Sequence, residues 1–235
     1  MPENKAKNYL LARGIQEKTY ASYLGSTLRL GQKAVFALYQ QMDKKGKGRM
    51  CSTITYQFGL NKEGHPISKK YFQKGLSRGV VVLKEGDEQI KKIIITESPI
   101  DALSHKQLHR IGAGTMYIAT CGTLSENIKR EVSGLLAHAY SNQQEVILAF
   151  DQDLAGKKLS KQVEELAKHQ QVCVGHALGL KEKDWNCALN HGLNAQEMAH
   201  VKKQQRILAQ SGQEYQLMRK NKHKATVMGM EIRIN

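Results

Sequence analysis

Four short apolar runs alternate with longer helical patterns in the middle of the chain. The runs lie at 93–96, 116–120, 146–150 and 172–176. Their apolar residues are continuous rather than alternating, which is typical of strands buried on both faces of a sheet. Strands that alternate with helices predict a parallel sheet with right-handed crossovers. We therefore predict an α/β domain with a four-stranded parallel sheet flanked by helices, at residues 89–194.

The flanking parts of the chain have other patterns. Residues 3–24 predict two short helices separated at Gly14, and residues 50–60 alternate as a strand does. We therefore predict a small α+β subdomain at residues 1–88. The polar helical pattern after residue 195 predicts a helical C-terminal segment at residues 195–235.

Positive charge is concentrated in these two flanks. Residues 1–90 carry 16 Lys/Arg against 7 Asp/Glu, and residues 196–235 carry 8 against 3, whereas residues 91–195 carry 12 against 11. Basic flanks around a more acidic centre favour a polyanionic partner such as nucleic acid. The alternative is general solubility charge, which is usually scattered more evenly.

The third apolar run ends in two carboxylates, Asp151 and Asp153, directly before a helical pattern. Ligands bind at the carboxyl ends of strands in open α/β sheets, and carboxylate oxygens suit Mg²⁺ or Mn²⁺. The alternative is that an aspartate caps the following helix. The first run also ends in a carboxylate, Glu97, with Asp101 one helical turn later. If the two strands are neighbours, these side chains share one site and favour a metal ion.

Three motifs in this region resemble the toprim domain of bacterial primases, topoisomerases and some nucleases. They are ITESPID at 95–101, ATCGT at 119–123 and FDQDLAG at 150–156. The resemblance spans about residues 91–190 and keeps the order and spacing of the family. KDWN at 183–186 is similar to an element that bacterial primases place after the fourth strand. Ser98 departs from the glycine usual in primases, and this version resembles the branch found in plasmid mobilisation and other mobile-element proteins.

The N-terminal part is similar to the segment that opens the primase catalytic core, in YLLARGI at 9–15 and at Leu24-Gly25. Residues 70–83 resemble the basic subdomain before the primase toprim domain. A Cys/His zinc module of the primase type and a topoisomerase tyrosine motif are not recognisable in the sequence.

The resemblance implies two-metal phosphoryl transfer. Asp151 and Asp153 would hold Mg²⁺ or Mn²⁺ with help from Asp101 and Asp184, and Glu97 would be a ligand or a general acid/base. We predict a primase-like nucleotidyltransferase that uses single-stranded DNA and nucleoside triphosphates in plasmid or mobile-element replication and transfer, with a relaxase or helicase as a further partner. A toprim nuclease and a non-catalytic binding module of a larger mobilisation protein are the alternatives.

Basic residues around these motifs are the predicted contacts to nucleic acid. Tyr71 and Phe72 are candidates for stacking on bases, with core packing as the alternative, above all for Phe72. The predicted contacts are Arg49, Lys69, Lys70, Lys74, Arg78, Lys157 and Lys158.

Other features predict a cytoplasmic protein without a membrane segment. The sequence has no apolar run of about 20 residues and no secretory signal at its start. Cys121 and Cys173 lie in apolar runs and are predicted to be buried thiols. His105 and His109, although one helical turn apart, are predicted to lie at the surface.

Overall fold

The computed structural model describes residues 8–41, 48–86, 88–177 and 180–210. Residues 42–47 lie outside the described residues, as do residues 211–235 of the predicted helical C-terminal segment.

The N-terminal part is an antiparallel sheet preceded by short helical turns. Its four strands are hydrogen-bonded in sequence order. Alternate residues of its long third strand, from Ser52 to Phe58, are buried. The strands are β1 (Leu28–Leu30), β2 (Ala34–Gln40), β3 (Arg49–Leu60) and β4 (Pro66–Phe72), and the turns before them are a 3-10 turn at Leu11–Arg13, helix α1 (Glu17–Tyr20) and a 3-10 turn at Ala21–Tyr23.

The second sheet has five strands in the order β5-β7-β6-β8-β9, and all neighbours except β5 and β7 run parallel. The strands are β5 (Val81–Lys84), β6 (Lys92–Thr96), β7 (Thr115–Ala119), β8 (Glu145–Ala149) and β9 (Val174–His176). The α/β class and the parallel order of the four predicted strands are confirmed. The prediction missed the fifth strand, because the apolar run at 80–83 was assigned to the first subdomain. The boundary near residue 88 stays a prediction, and β5 lies before it.

Helices cover both faces of the second sheet. Ile93 and Ile95 of β6 pack with α3 and α4 in one apolar cluster, whereas Ile94 points to the other face and joins α2, α5 and the first sheet in a second cluster. This double burial explains why the strands are continuously apolar. The helices are α2 (Pro99–His109), α3 (Glu126–Ser141), α4 (Leu154–His169), α5 (Trp185–His191) and α6, which is described over 195–210.

A short turn of the N-terminal part is fixed to the second sheet's helices by amide side chains. The carbonyl oxygen of Ala12 accepts from Gln205 (2.9 Å), that of Arg13 from Asn186 (2.9 Å), and that of Gly14 from Gln107 (3.0 Å). Gly14 has the left-handed φ of 77° that was predicted for the end of a helical turn. The N-terminal turn and the α/β domain are therefore packed as one unit.

Two predictions about individual side chains are wrong. His105 is buried rather than exposed: its Nδ1 lies 2.9 Å from the Tyr117 hydroxyl, and its ring packs against Trp185. Cys173 is exposed because it directly precedes β9, a short strand at the sheet edge. Cys121 is buried and His109 is exposed, as predicted. Within the described residues, no helix is long and apolar enough to cross a membrane.

Candidate metal and phosphate site

The acidic residues of the α/β domain meet at one edge of the second sheet. Strands β6 and β8 are parallel neighbours in which Thr96 pairs with Ala149. Glu97 and Asp151 follow these strands at the same edge, and adjacent strands are roughly 5 Å apart. The expectation that the two acidic strand ends are neighbours is therefore confirmed.

Asp153 serves as the helix cap that was the alternative to a metal ligand. Its Oδ1 accepts from the Gly156 amide (2.9 Å) at the start of α4. Gly156 is required at this turn, because a Cβ there would lie 2.1 Å from the carbonyl oxygen of Asp151. The cap occupies Oδ1, and Oδ2 lies 4.0 Å from the Lys183 ammonium. Capping therefore fixes the carboxylate and does not exclude a metal ligand.

Asp101 lies in the first turn of α2 and is buried. The Ser98 hydroxyl donates to Asp101 Oδ2 (2.5 Å) and accepts from the Asp101 amide (3.2 Å). Ser98 therefore both caps the helix and fixes the position of the Asp101 carboxylate. The serine in place of glycine thus has a structural role in this chain.

The loop that carries Asp184 is tied to the Asp151 turn. The Gln152 amide donates to the carbonyl oxygen of Lys183 (3.0 Å). The buried Trp185 indole donates to the carbonyl oxygen of Ala149 (3.0 Å) and thereby anchors the loop to the end of β8. Asp184 itself caps α5 by accepting from the Cys187 amide (2.7 Å).

The carboxylates are close enough to change one another's proton affinity. Burial, followed by the charges of Asp101, Glu97, Asp184 and Asp153, raises the pKa of Asp151 to about 8. Burial is also the main cause that raises the pKa of Asp101 to about 6, and the Ser98 hydrogen bond opposes it. Burial raises the pKa of Glu97, whereas the Lys70 charge lowers it. Such mutual repulsion is relieved by a cation.

Two carboxylate oxygens at this edge, Glu97 Oε2 and Asp151 Oδ1, are buried and have no hydrogen-bond partner in the part of the chain that the structure describes. Buried carboxylate oxygens without partners are costly, and hard oxygen donors fit Mg²⁺ or Mn²⁺. Among the described residues, no three His, Cys, Asp or Glu side chains are grouped tightly enough to enclose a metal ion as they stand. The donor set fits a divalent cation, although the side chains are not arranged around one.

A cavity of about 530 Å³ opens beside Glu97, between the first sheet and the α/β domain. Three of the predicted nucleic-acid contacts line it: Lys70, Arg78 and Lys158. Phe72 also lines it, and the Arg78 guanidinium lies 4.1 Å above the centre of its ring. The cavity therefore combines cations with an apolar wall next to the acidic edge.

The other predicted contacts do not line this cavity. Lys69 lies within β4 on the opposite face from Lys70. Its ammonium nitrogen is 2.9 Å from the position that a Cβ of Gly59 would take. Tyr71 shares that outer face and is 43% exposed. The pleat of β4 thus directs the two lysines to opposite faces, although both were predicted to contact nucleic acid. The remaining predicted contacts are exposed and do not line the cavity; they are Arg49, Lys74 and Lys157.

Arg13 is a residue of the site that the sequence did not single out. Its main chain is held by Asn186 and Asn190 of α5. Its charge lowers the pKa of Asp101, which lies 88 positions later in the chain, and its buried Nε has no partner among the residues described. The YLLARGI motif contains Arg13, but only the packing of the turn against α5 shows which residues it faces.

Comparison with known proteins agrees with this fold. Residues 94–189 match a family model described as Toprim-like. A search of curated proteins found no match. The chain therefore contains a Toprim-like domain that covers part of its length.

Solved structures with a similar fold include primases. The primase fragment of the bacteriophage T7 primase-helicase is 20% identical, with 81% of this chain and 71% of that chain covered and a TM-score of 0.41. The Aquifex aeolicus primase, with zinc-binding and RNA polymerase domains, is 17% identical, with 86% and 54% covered and a TM-score of 0.47. A third is the T7 lagging-strand polymerase complex, whose primase domains are bound to an RNA/DNA hybrid and dTTP; it is 22% identical, with 82% and 87% covered and a TM-score of 0.39. This chain spans about half the length of the Aquifex chain.

Proposed function

We propose that this chain, with its Toprim-like domain at 94–189, is a metal-dependent phosphoryl-transfer enzyme that joins nucleotides on a single-stranded DNA template, as primases do. One observation carries the proposal: Glu97, whose buried Oε2 has no partner among the described residues, lines the same cavity as Lys70, Arg78 and Lys158, and Asp151 follows the neighbouring strand. Carboxylates that suit a cation, next to side chains that suit phosphates, are the two parts that phosphoryl transfer needs.

The residues that would hold Mg²⁺ or Mn²⁺ are Asp151, Asp153 and Glu97, with Asp101 and Asp184 in support. A bound divalent cation would stabilise negative charge on the attacking and leaving oxygens. The raised pKa values of Asp151 and Glu97 support this assignment, because burial destabilises both carboxylates and a bound cation would offset that cost.

The chain's own cations would bind the phosphates of the substrates. Lys70, Arg78 and Lys158 line the cavity, and a guanidinium such as that of Arg13 suits phosphate oxygens. Glu97 lies at the cavity wall with a raised pKa, so it is suited to accept or hold a proton at a reacting oxygen.

The setting and the direction of the reaction remain predictions. A role in plasmid or mobile-element replication, and a relaxase or helicase partner, rest on the resemblance of the ESPID version of the motif. The same carboxylates would also serve phosphodiester hydrolysis in a toprim nuclease. In a non-catalytic module, only the basic side chains would have a function, which is to bind nucleic acid.

The test uses the full chain with labelled nucleoside triphosphates, a single-stranded template and Mg²⁺ or Mn²⁺. New oligonucleotide product that is lost in Asp151→Asn and Asp153→Asn supports the proposal. Shortening of the template supports the nuclease instead, and binding without either product supports the module. Product that persists in both variants would show that the metal assignment is wrong.

A further inference from the structure

Arg78 differs from the two lysines of the cavity because its charged group lies against an aromatic ring. The central carbon of its guanidinium is 4.1 Å from the centre of the Phe72 ring, and both side chains line the cavity. Phe72 also packs against the apolar cluster that includes the first sheet. The ring is therefore anchored in the core, and it carries the guanidinium at the cavity wall.

The main chain at Arg78 is fixed to β2. The carbonyl oxygen of Arg78 accepts a hydrogen bond from Gln40 Nε2 (2.7 Å). Tyr39 and Val80 exchange two main-chain hydrogen bonds (2.8 and 3.0 Å). Between them, Gly79 lies so close to β2 that a Cβ there would be 2.2 Å from the carbonyl oxygen of Tyr39. The position of Arg78 at the cavity is therefore set by the packing of this segment on the first sheet.

The other walls of the cavity are largely apolar. Cys121, Leu124 and Leu159 line it, and all three side chains are buried. Its volume of about 530 Å³ is typical of pockets for small organic ligands. Phosphate groups are strongly hydrated and gain nothing from apolar walls. The cavity therefore suits a ligand that has a flat apolar part as well as a charged part.

Helix α4 gives the cavity a direction. The helix begins at the acidic edge, where Asp153 caps it, and three of its polar or small residues line the cavity: Ala155, Lys158 and Gln162. At a rise of 1.5 Å per residue, Gln162 lies about 10 Å further along the helix than Ala155. The Gln162 amide makes no hydrogen bond with the described residues. The end of the cavity away from the carboxylates thus offers a free donor and a free acceptor.

We propose that the cavity holds the base of a substrate nucleoside triphosphate, stacked on the Arg78 guanidinium with its edge at the Gln162 amide. The phosphates then lie toward the acidic edge, at Lys70 and Lys158. Guanidinium planes stack on bases, and an amide side chain can both donate to a base edge and accept from it. This inference rests on the proposed function, from which it takes the class of ligand, and it assigns Arg78 to the base instead of the phosphates.

The first test is Arg78→Lys, which keeps the positive charge and removes the planar group. ATP and inorganic tripolyphosphate, each with Mg²⁺, are titrated calorimetrically into the full chain, since tripolyphosphate has the phosphates without a base. We expect the wild type to bind ATP more tightly than tripolyphosphate. Arg78→Lys should bind ATP about tenfold more weakly, as loss of a stacking contact predicts, and tripolyphosphate as the wild type does. Arg29→Lys, at an exposed position of β1, is the matched control.

The second test is Gln162→Leu, which removes the amide and keeps the approximate size of the side chain. Affinity for ATP should fall about fivefold, the size expected for a lost hydrogen bond, and affinity for tripolyphosphate should not change. Gln196→Leu is the matched control, because Gln196 is an exposed glutamine of α6. Circular dichroism and thermal melting establish that each variant is folded before it is titrated.

The outcomes separate this inference from the proposed function. If the wild type binds ATP no more tightly than tripolyphosphate, the base site is wrong. If Arg78→Lys weakens both probes equally, or neither, Arg78 does not stack on the base and the inference is overturned. If the two probes respond as expected but no oligonucleotide forms on a single-stranded template, the proposed reaction is wrong and the base site stands. If the wild type binds neither probe, both are wrong.

Discussion

The main-chain amide of Gln152 donates to the carbonyl oxygen of Lys183 at 3.0 Å, so the turn with Asp151 and Asp153 is tied to the loop with Asp184. The Trp185 indole makes a second link to the end of β8. Two acidic segments more than 30 positions apart are therefore held as one edge. Rigid support of this kind keeps mutually repelling carboxylates in place before a cation arrives.

Asp151→Asn should stabilise the metal-free protein at alkaline pH. The folded-state pKa of Asp151 is raised from 3.8 to about 8. The contribution of its bound proton to folding stability is therefore fully present below pH 3.8 and is lost as pH rises through 8. In thermal melts in EDTA, the melting temperature of the wild type should fall between pH 6 and pH 9 by an amount on the order of 3 °C, and that of the variant should not. Mg²⁺ should raise the melting temperature of the wild type only. Equal pH profiles would contradict the raised pKa of Asp151.

Gly156→Ala should destabilise the protein by about 1–3 kcal/mol, the usual range for overpacking. Its Cβ would lie 2.1 Å from the Asp151 carbonyl oxygen, so either α4 or the Asp151 turn has to move. Gly134→Ala is the matched control, because Gly134 lies in α3 with nothing within 4 Å of a new Cβ. The control should gain about 0.5–1 kcal/mol from helix propensity. Urea unfolding measures both changes, and a neutral Gly156→Ala would be inconsistent with the close approach.

Lys70→Ala and Lys69→Ala should differ in binding to single-stranded DNA. Lys70 lines the cavity beside Glu97, whereas Lys69 lies on the outer face of β4. Loss of a phosphate contact reduces the slope of log affinity against log salt by about 1, and we expect this change for Lys70→Ala alone. Fluorescence anisotropy over a salt series measures it. A larger effect at Lys69 would place the nucleic acid on the outer face.

His105 should make the protein sensitive to acid. Burial, with the nearby charges of His109 and Lys92, lowers its pKa from 6.5 to about 3. The unfolded chain therefore binds the proton more readily, and stability is lost as pH falls from 6.5 towards 3. His105→Asn should be less stable at pH 7 but lose less stability between pH 7 and pH 5, by urea unfolding. His65→Asn, at an exposed position, should follow the wild type.

The sequence predicted the parallel strands and the shared acidic edge because both depend on local patterns. Burial on two faces makes a strand continuously apolar, and the position of Glu97 and Asp151 directly after such strands follows from parallel pairing. The run at 80–83 has the same apolar character as β6, so composition alone could not assign it to the second sheet or show that it runs antiparallel.

Contacts between distant segments could not be predicted in this way. Lys69 and Lys70 are chemically equal neighbours, and only the register of β4 with β3 determines which one faces the cavity. The Arg13 charge acts on Asp101 because packing brings two distant segments of the chain together. His105 was placed at the surface because its helix is polar, whereas Trp185 and Tyr117 cover it.

The carbonyl oxygens of Ala12, Arg13 and Gly14, which accept hydrogen bonds from amide side chains, limit how far this protein can be shortened. A fragment cut to residues 94–189 would leave the amides of Gln107 and Asn186 without their main-chain acceptors in the N-terminal turn. It would also uncover the apolar face that Ile94 shares with the first sheet. Exposed apolar faces of this kind promote aggregation. A shortened version meant for crystallisation or binding studies should therefore keep the described residues from 8 to 210 together.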